Sequence, residues 1–433
     1  MIAVALRNLR HRPGGFVATF LSAFLGAALL MAFASLLDTA SGVDAAAGHE
    51  SLTTTATVGG GWCLIIVAFA VTSTLTLAIR QRDQQIALLR SVGATGPQLR
   101  RMIVGEAVAV ALVASAAAVP VGLVLGRVLV GLLHDTGQVA TSVGAAFGPI
   151  ALGAGFGVTL LGSLVAGVAA ARRAAGHGRR KQRPRLRRLG AALFLLTGAN
   201  CAVLTATLMY GKGIDAMQTA GQAGIWASIG LALLAPELLR LVTAVLSPLV
   251  RLFGAPGELA LQGPRLSSAV MPVLLFTGIA TGTVYMQGIE DRAAAGTTQP
   301  GYAQDIQTLN YVVVGLITVF VAIMLVNTLI AATAHRRREF AQQRLAGATR
   351  GQVTAMVALE GLLITVTGVL GGLVAALFTV LPFGSARAGR VWPDASPAAF
   401  GIVAAIAVML TATALLRTAR RSVRGPATAA VRS

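Results

Sequence analysis

The sequence predicts an all-α integral membrane protein, with ten transmembrane helices arranged as two four-helix repeats plus two linking helices. Three observations support this prediction. Of the 433 residues, 55% are hydrophobic and only 12% are charged, and the mean hydropathy is +0.77, which does not suit a soluble surface. Ten apolar stretches are long enough to cross a bilayer, and part of the sequence recurs at a constant offset of 254 in residue number.

A membrane-crossing helix needs roughly 20 mostly apolar residues, because the hydrocarbon layer is about 30 Å thick and a helix rises about 1.5 Å per residue. The stretches that satisfy this are 14–37, 60–79, 103–126, 148–171, 190–210, 223–245, 266–287, 309–333, 355–381 and 398–416. The first follows Arg7, Arg10 and Arg12, but it is longer than the apolar core of a secretory signal, which has about 7–15 residues. We therefore expect an uncleaved anchor.

The positions of Lys and Arg predict the orientation. If the N-terminus is cytoplasmic, 30 of the 35 basic residues lie on that side. Only Arg127, Lys212, Arg292, Arg387 and Arg390 then lie outside. Because cytoplasmic loops retain positive charge during insertion, we expect a multi-pass protein of the cell membrane with both termini in the cytoplasm. The 33 Arg to 2 Lys, beside abundant Ala and Gly, indicate a bacterial genome rich in GC.

Nine of these cations cluster in residues 172–189. Such a cluster could bind nucleic acid or acidic lipid headgroups, or it could be a cytoplasmic linker that fixes the topology. Gly176, Gly178 and Pro184 would interrupt a helical face that organised the charges. We favour the linker and expect no nucleic acid as a partner.

The repeat is clearest in two loops on the predicted cytoplasmic side. Residues 82–98 read RDQQIALLRSVGATGPQ, and residues 336–352 read RRREFAQQRLAGATRGQ. Seven positions are identical between them at the offset of 254, and Glu106 recurs as Glu360 at the same offset. Eight identities at one offset without an insertion indicate duplication.

Each loop is predicted to hold a short helix, a tight turn and the start of the next span. Apolar residues at helical spacing predict helices over 84–92 and 338–346, each ended by a glycine that accepts a left-handed conformation. The T-x-x-Q spacing that follows predicts a capping box. The pattern alone leaves open whether these short helices contact a partner or only anchor the loop at the membrane interface.

This order of elements resembles the FtsX-like permease domain of ABC transporters of the MacB type. The resemblance covers residues 1–171 and 254–433, which we predict to be two repeats of four spans. Between them we predict a basic linker, 172–189, and then two linking transmembrane helices with an interfacial segment, 190–253.

The resemblance implies a permease subunit and not an enzyme. A separate cytoplasmic ABC ATPase, in two copies, would hydrolyse ATP with Mg²⁺, and the chain would bind no cofactor. Transport would export or extract an amphipathic substrate such as a peptide antibiotic, a drug or a lipid. Members of this type usually carry a large external domain after the first span. The corresponding segments 38–59 and 288–308 are too short for one, so we expect a substrate taken from the membrane.

The resemblance also implies that the two short helices dock the ATPase. The residues assigned to docking are Gln85, Ile86, Leu89, Arg90, Gly93, Ala94 and Thr95 in the first loop, and Phe340, Arg344, Gly347, Ala348 and Thr349 in the second. Gln342 and Gln343 replace two leucines of the first helix, so we expect the second helix to dock more weakly or on a different surface. For Glu106 and Glu360 we favour pairing with nearby arginines such as Arg100, Arg101 or Arg350 over a direct energetic role. Their matching positions suggest a shared task in bracing the short helices.

The sequence lacks the motifs for nucleotide hydrolysis, for metal binding and for hydrolase catalysis. The pair Gly211-Lys212 is followed by Gly213 and does not form a phosphate loop, so ATP hydrolysis requires another chain. The five histidines lack the spacing of a metal site, and no G-x-S-x-G elbow offers a hydrolase nucleophile.

Two alternatives remain from the sequence. The chain could belong to a module that senses membrane-active peptides and signals to a sensor kinase. It could also be an ion-coupled carrier, although such carriers place carboxylates near the middle of the bilayer. Glu106, Glu237 and Glu360 lie toward the cytoplasmic ends of their predicted spans, which favours the ATPase-coupled interpretation.

Overall fold

The computed structural model describes residues 17–43, 46–80, 86, 88–89, 91–175, 184–211, 214–252, 254, 267–294, 300–334, 336–390 and 396–424. The regular elements in these ranges are all α-helices, as the sequence predicts. They are α1 (Val17–Ala40), α2 (Ala46–Arg80), α3 (Gly96–Asp135), α4 (Pro149–Ala175), α5 (Pro184–Leu208), α6 (Ile214–Leu233), α7 (Ala235–Arg251), α8 (Ser267–Ala294), α9 (Pro300–Ala334), α10 (Arg337–Leu345), α11 (Arg350–Ala388) and α12 (Ala398–Arg424).

Among the described residues, nine helices are long and apolar enough to cross a bilayer, and the bent pair α6 and α7 raises the number to ten. The sixth predicted span, 223–245, is therefore not one continuous helix. The two helices meet at an angle of 69°. Pro236 lies in the first turn of α7 and has no amide hydrogen to continue the ladder of α6. The amide of Leu234 donates instead to carbonyls three and four residues earlier, which closes α6.

The helix boundaries repeat at the offset found in the sequence. Helix α2 covers 46–80 and α9 covers 300–334, so both of their ends are related by that offset. The starts of α3 and α11 are related in the same way, and so are the ends of α1 and α8. The offset therefore relates the boundaries of the first three long helices of each predicted repeat as well as the loops.

Contacts between helices divide the chain into two compact units. The first unit contains Met1–Gln182 and Thr297–Phe320. Helix α1 is its most enclosed span and packs against α2, α3 and α4. Gly122 of α3 permits a close approach: a Cβ atom there would lie 2.8 Å from Cβ of Met31 on α1. A small residue at such an interface lets the helix backbones pack closely.

The second unit contains Arg183–Gly296 and Val321–Ser433, so residues 300–320 of α9 belong to the first unit and 321–334 to the second. Helices α8 and α11 form its centre, with α5, α6, α7 and α12 around them. At Gly372 of α11, a Cβ atom would lie 2.6 Å from Cβ of Thr277. Close packing of helices is thus the role of this glycine within its span.

A carboxylate fixes the end of α1 to the start of α4. Asp38 is buried, and its two oxygens accept hydrogen bonds from the amides of Gly148 (3.0 Å), Ile150 (3.1 Å) and Ala151 (2.8 Å). These amides lie at the first turn of α4, where free donors and the helix dipole favour a negative charge. Asp38 therefore caps α4 from a distant part of the sequence.

We expect Asp38→Ala to lower the free energy of unfolding by about 2 kcal/mol, because three amides lose a charged acceptor. The measurement is the thermal midpoint of the purified protein in detergent. Asp135→Ala is the matched control, since that carboxylate is exposed at the end of α3 and its removal should leave the midpoint unchanged. Equal midpoints for the two variants would show that Asp38 is not a cap.

Candidate functional site

The two repeated loops close their short helices in the same way. In the first loop, Ile86, Leu88, Leu89 and Ser91 are helical, and the second loop contains α10. The helices end at Gly93 and Gly347, whose φ angles are +98° and +101°. Glycine accepts this left-handed conformation without a steric cost.

The same backbone bond closes each turn. The amide of Ala94 donates to the carbonyl of Leu89, and the amide of Ala348 donates to that of Gln343, both at 3.0 Å. Each bond spans five residues, as in the Schellman ending of a helix. The turn that links the short helix to the next span therefore has the same form in both repeats.

The predicted capping boxes are present at the starts of α3 and α11. Thr95 and Thr349 are the N-cap residues, and the amide of each donates to Oε1 of the glutamine three residues later at 2.9 Å. In the second loop the amide of Gln352 also donates to Oγ1 of Thr349 at 3.2 Å. Each span thus begins at a defined residue directly after the turn.

Ile86 and Phe340 occupy equivalent positions, and both side chains point into the protein. Ile86 packs with Leu99, Ile103 and Ala171. Phe340 is completely buried, and the guanidinium of Arg336 lies 5.1 Å from the centre of its ring. These two residues hold the short helices against neighbouring helices of the same chain. The sequence interpretation assigned both residues to docking, but both side chains are buried against the chain's own helices and are not available to a partner.

The outward faces of the short helices carry exposed apolar side chains. In the first, Leu88, Leu89 and Val92 are 67%, 40% and 82% exposed. In the second, Leu345 is 56% exposed, beside the exposed Gln342.

The sequence interpretation included only Leu89 of this exposed set. The others could have been found from helix geometry. Residues two and six positions after an inward-facing residue lie on the opposite side of a helix. With Ile86 facing inward, Leu88 and Val92 are those positions.

The remaining predicted docking residues lie mostly in the turns. Gly93, Thr95, Gly347 and Thr349 are exposed, while Ala94, Ala348 and Arg344 are half-buried. Gln85 and Arg90 lie outside the described residues. Their role in docking stays a prediction.

Glu360 is buried and pairs with Arg336. One guanidinium nitrogen donates to Oε1 of Glu360 at 3.0 Å, and a second donates to Oε2. The expected partner Arg350 is wrong for this residue. Arg350 begins α11 ten residues earlier, which is about 15 Å along the helix axis at 1.5 Å per residue. Arg336 comes from the preceding loop and lies directly beside Glu360.

Arg336 also reaches the short helix itself. Two of its nitrogens donate to Glu339 of α10, each at 3.2 Å. Burial would lower the pKa of Arg336, but the hydrogen bonds and charges of Glu360 and Glu339 outweigh it and raise this pKa above its ordinary value. The guanidinium therefore remains charged and ties the start of α10 to α11.

Glu106, the equivalent of Glu360 in the first repeat, is buried as well. Arg100 and Arg101 of the same helix are exposed. Arg82 is the equivalent of Arg336 at the offset of 254, and it lies outside the described residues. The bracing role of Glu106 stays a prediction.

A short helix and a Gly-Ala-Thr turn thus precede a long membrane helix twice in this all-α membrane protein. The family described as FtsX-like permease C-terminal matches residues 57–178 and 311–423, which is more than half of the chain. The protein belongs to the FtsX-like permease family. The starts of the two matched segments are related by the same offset as the loops, so the resemblance inferred from the loops is confirmed. Among curated proteins, none matches the chain.

We expect strong coupling between Arg336 and Glu360 in a double-mutant cycle. Glu360→Gln leaves a half-buried cation short of its main partner, and Arg336→Gln leaves a buried carboxylate unpaired. Each single change should cost about 3–5 kcal/mol, and the double variant should cost much less than their sum. The free energy of unfolding in detergent measures this.

Glu339→Gln is the control for this cycle, because Glu339 is more exposed and its loss should cost less. Additive effects of Arg336→Gln and Glu360→Gln would contradict the role of this ion pair.

Proposed function

We propose that this chain is the membrane subunit of an ABC transporter and that its two short helices dock a separate cytoplasmic ATPase. One observation carries the proposal. Each FtsX-like copy holds an exposed short helix that is clamped onto the span following it. Two such helices in one chain provide a docking site for each copy of an ATPase pair.

The exposed leucines support docking to a protein. In the proposed orientation, with both termini cytoplasmic, the loops that carry Leu88, Leu89 and Val92 lie in the cytoplasm. Contiguous apolar side chains exposed to water are a feature of protein interfaces. The second helix offers Leu345 with Gln342 instead, so the two docking sites differ in polarity.

The inward contacts support transmission of movement. Ile86 and Phe340 are buried, the turns are closed by backbone bonds, and Arg336 binds both α10 and Glu360 of α11. Closure of the ATPases on ATP binding would displace the short helices. Because each is fixed to a neighbouring long helix, the displacement would pass to α3 and α11 and shift the spans. ATP and Mg²⁺ would be bound by the ATPase alone.

The short outer connections support a substrate that comes from the membrane. Helix α1 ends at Ala40 and α2 begins at Ala46, while α8 ends at Ala294 and α9 begins at Pro300. Five residues between the first two spans of each copy leave no room for an external domain that would capture a bulky protein. An amphipathic peptide, drug or lipid enters such a transporter from the bilayer.

The natural difference between the two short helices provides the test. We expect the double change Leu88→Gln and Leu89→Gln to weaken association with the ATPase at least tenfold, because it removes the apolar docking surface. The second copy carries glutamine at both equivalent positions, so the helix should still fold. The measurement is the amount of ATPase retained by the tagged permease and its ATP hydrolysis.

Leu345→Asp tests the second helix; Phe340→Asp would not, since Phe340 is buried and the change would unfold the loop. Tyr210→Gln is the control, because Tyr210 is a similarly exposed aromatic side chain two residues after the end of α5, on the predicted outer side of the membrane. Full retention of the ATPase by the Leu88/Leu89 and Leu345 variants together would overturn the proposal. Proton-driven transport by the chain alone in vesicles would favour an ion-coupled carrier instead.

A further inference from the structure

Helix α7 has three distinct faces. Leu239 and Val250 are buried where it packs against α8 and α11. A second face is apolar and exposed, and a third is polar and exposed. A helix inside a protein core, or one fully within the hydrocarbon layer, would not have an exposed polar face beside an exposed apolar one. The three faces of α7 therefore indicate three different surroundings.

The exposed apolar face consists of Leu241, Val245, Leu249 and Leu252, which follow at intervals of four, four and three residues. Their exposed fractions run from 52% to 80%. This spacing places them on one side of the helix. A single neighbouring side chain could not cover all four residues, and the described part of the chain does not cover them.

The polar face carries positive charge. Arg240 and Arg251 are exposed, and Ser247 lies between them on the same side of the helix. At the start of α7, Glu237 accepts hydrogen bonds from Arg187 at 2.5 Å and from Arg188 at 3.3 Å. The side chain of Arg188 remains 59% exposed. Charged side chains of this kind are costly in hydrocarbon, so the start of α7 lies at the membrane surface.

The length and burial of α6 are consistent with placing the start of α7 at the membrane surface. Its 20 residues extend about 30 Å at 1.5 Å per residue, which is enough to cross the hydrocarbon layer without α7. Most of its side chains are buried among α5, α8 and α11, so the polar residues in its first half need not face lipid.

The bend sets the direction of α7. With α6 near the membrane normal, a bend of 69° brings α7 to within about 20° of the membrane plane, a tilt that spanning helices rarely reach. An amphipathic helix that lies flat at a membrane surface places apolar residues among acyl chains and cations beside headgroups.

We propose that α7 is an interfacial helix that binds acidic lipids where α6 ends. Leu241, Val245, Leu249 and Leu252 insert into the upper acyl region, and Arg240 and Arg251 contact lipid phosphates. In the orientation proposed above this is the cytoplasmic leaflet. The described part of the chain then has nine spanning helices that cross without a break, one enclosed span, α6, and one helix in the membrane plane.

Depth-dependent quenching tests the placement. The full-length protein carries bimane on a single introduced cysteine and is placed in nanodiscs of phosphatidylglycerol and phosphatidylcholine. Cys201→Ala removes the half-buried cysteine, while Cys63 is buried and stays. Bimane at Val245→Cys and at Leu249→Cys should be quenched about equally, and more by lipids spin-labelled near the headgroup than by lipids labelled near the chain end. Bimane at Ser247→Cys should be quenched by aqueous iodide.

Two results would overturn the placement. Quenching by the deep label that rises from Leu241→Cys to Leu249→Cys would mean that α7 continues across the bilayer. Iodide quenching at Val245 equal to that at Ser247, without lipid quenching, would mean that α7 lies in water or under a partner protein. Neither readout depends on the ATPase, so failure of the docking proposal and failure of this one are distinguishable.

The lipid preference is tested at the same position. Bimane at Val245→Cys should be quenched severalfold more by headgroup-labelled phosphatidylglycerol than by labelled phosphatidylcholine. The double change Arg240→Gln and Arg251→Gln should bring that ratio to about one, while Arg240→Lys with Arg251→Lys should preserve it, because attraction to acidic lipid follows the charge. A ratio unaffected by the glutamine pair would show that the arginines do not bind acidic lipid.

Discussion

The contact on which the second repeat depends is the salt bridge between Arg336 and Glu360. A carboxylate on the first third of a spanning helix would be costly alone, and a half-buried guanidinium would be costly as well. When they pair, each charge neutralises the other. The guanidinium of Arg336 also donates to Glu339 and lies over the ring of Phe340. Arg336 thus connects the loop, the short helix and α11. Because it directly precedes α10, it holds the short helix against the spanning helix α11.

Duplication has preserved this inner framework and changed its outer surface. The glycines with positive φ, the bonds that close the turns and the capping boxes coincide in both repeats. The outward faces differ, with leucines at 88 and 89 and glutamines at 342 and 343. Residues that hold a helix in place are constrained by packing, whereas exposed residues are constrained only by what they contact. The inner framework is therefore alike in the two copies, while the exposed faces differ in polarity.

The sequence predicted the parts of the fold that depend on local chemistry. Apolar length predicted nine spans as continuous helices, and T-x-x-Q predicted both capping boxes. The break in the sixth span was missed, because most residues on both sides of Pro236 are apolar. Hydropathy does not distinguish a proline at the start of a helix from a proline within one. The partner of Glu360 was missed because it depends on how a loop folds back, and the direction in which Ile86 and Phe340 point depends on which neighbouring helices surround them.

Five residues separate α1 from α2, and these two long helices pack against each other. Chain ends held that close to each other allow a folded module to be inserted with little loss of conformational freedom in the surrounding helices. The packing of α1 would be retained, since Asp38 and the close contact at Gly122 lie below this connection. The connection between α1 and α2 is therefore a position that tolerates the insertion of a folded module.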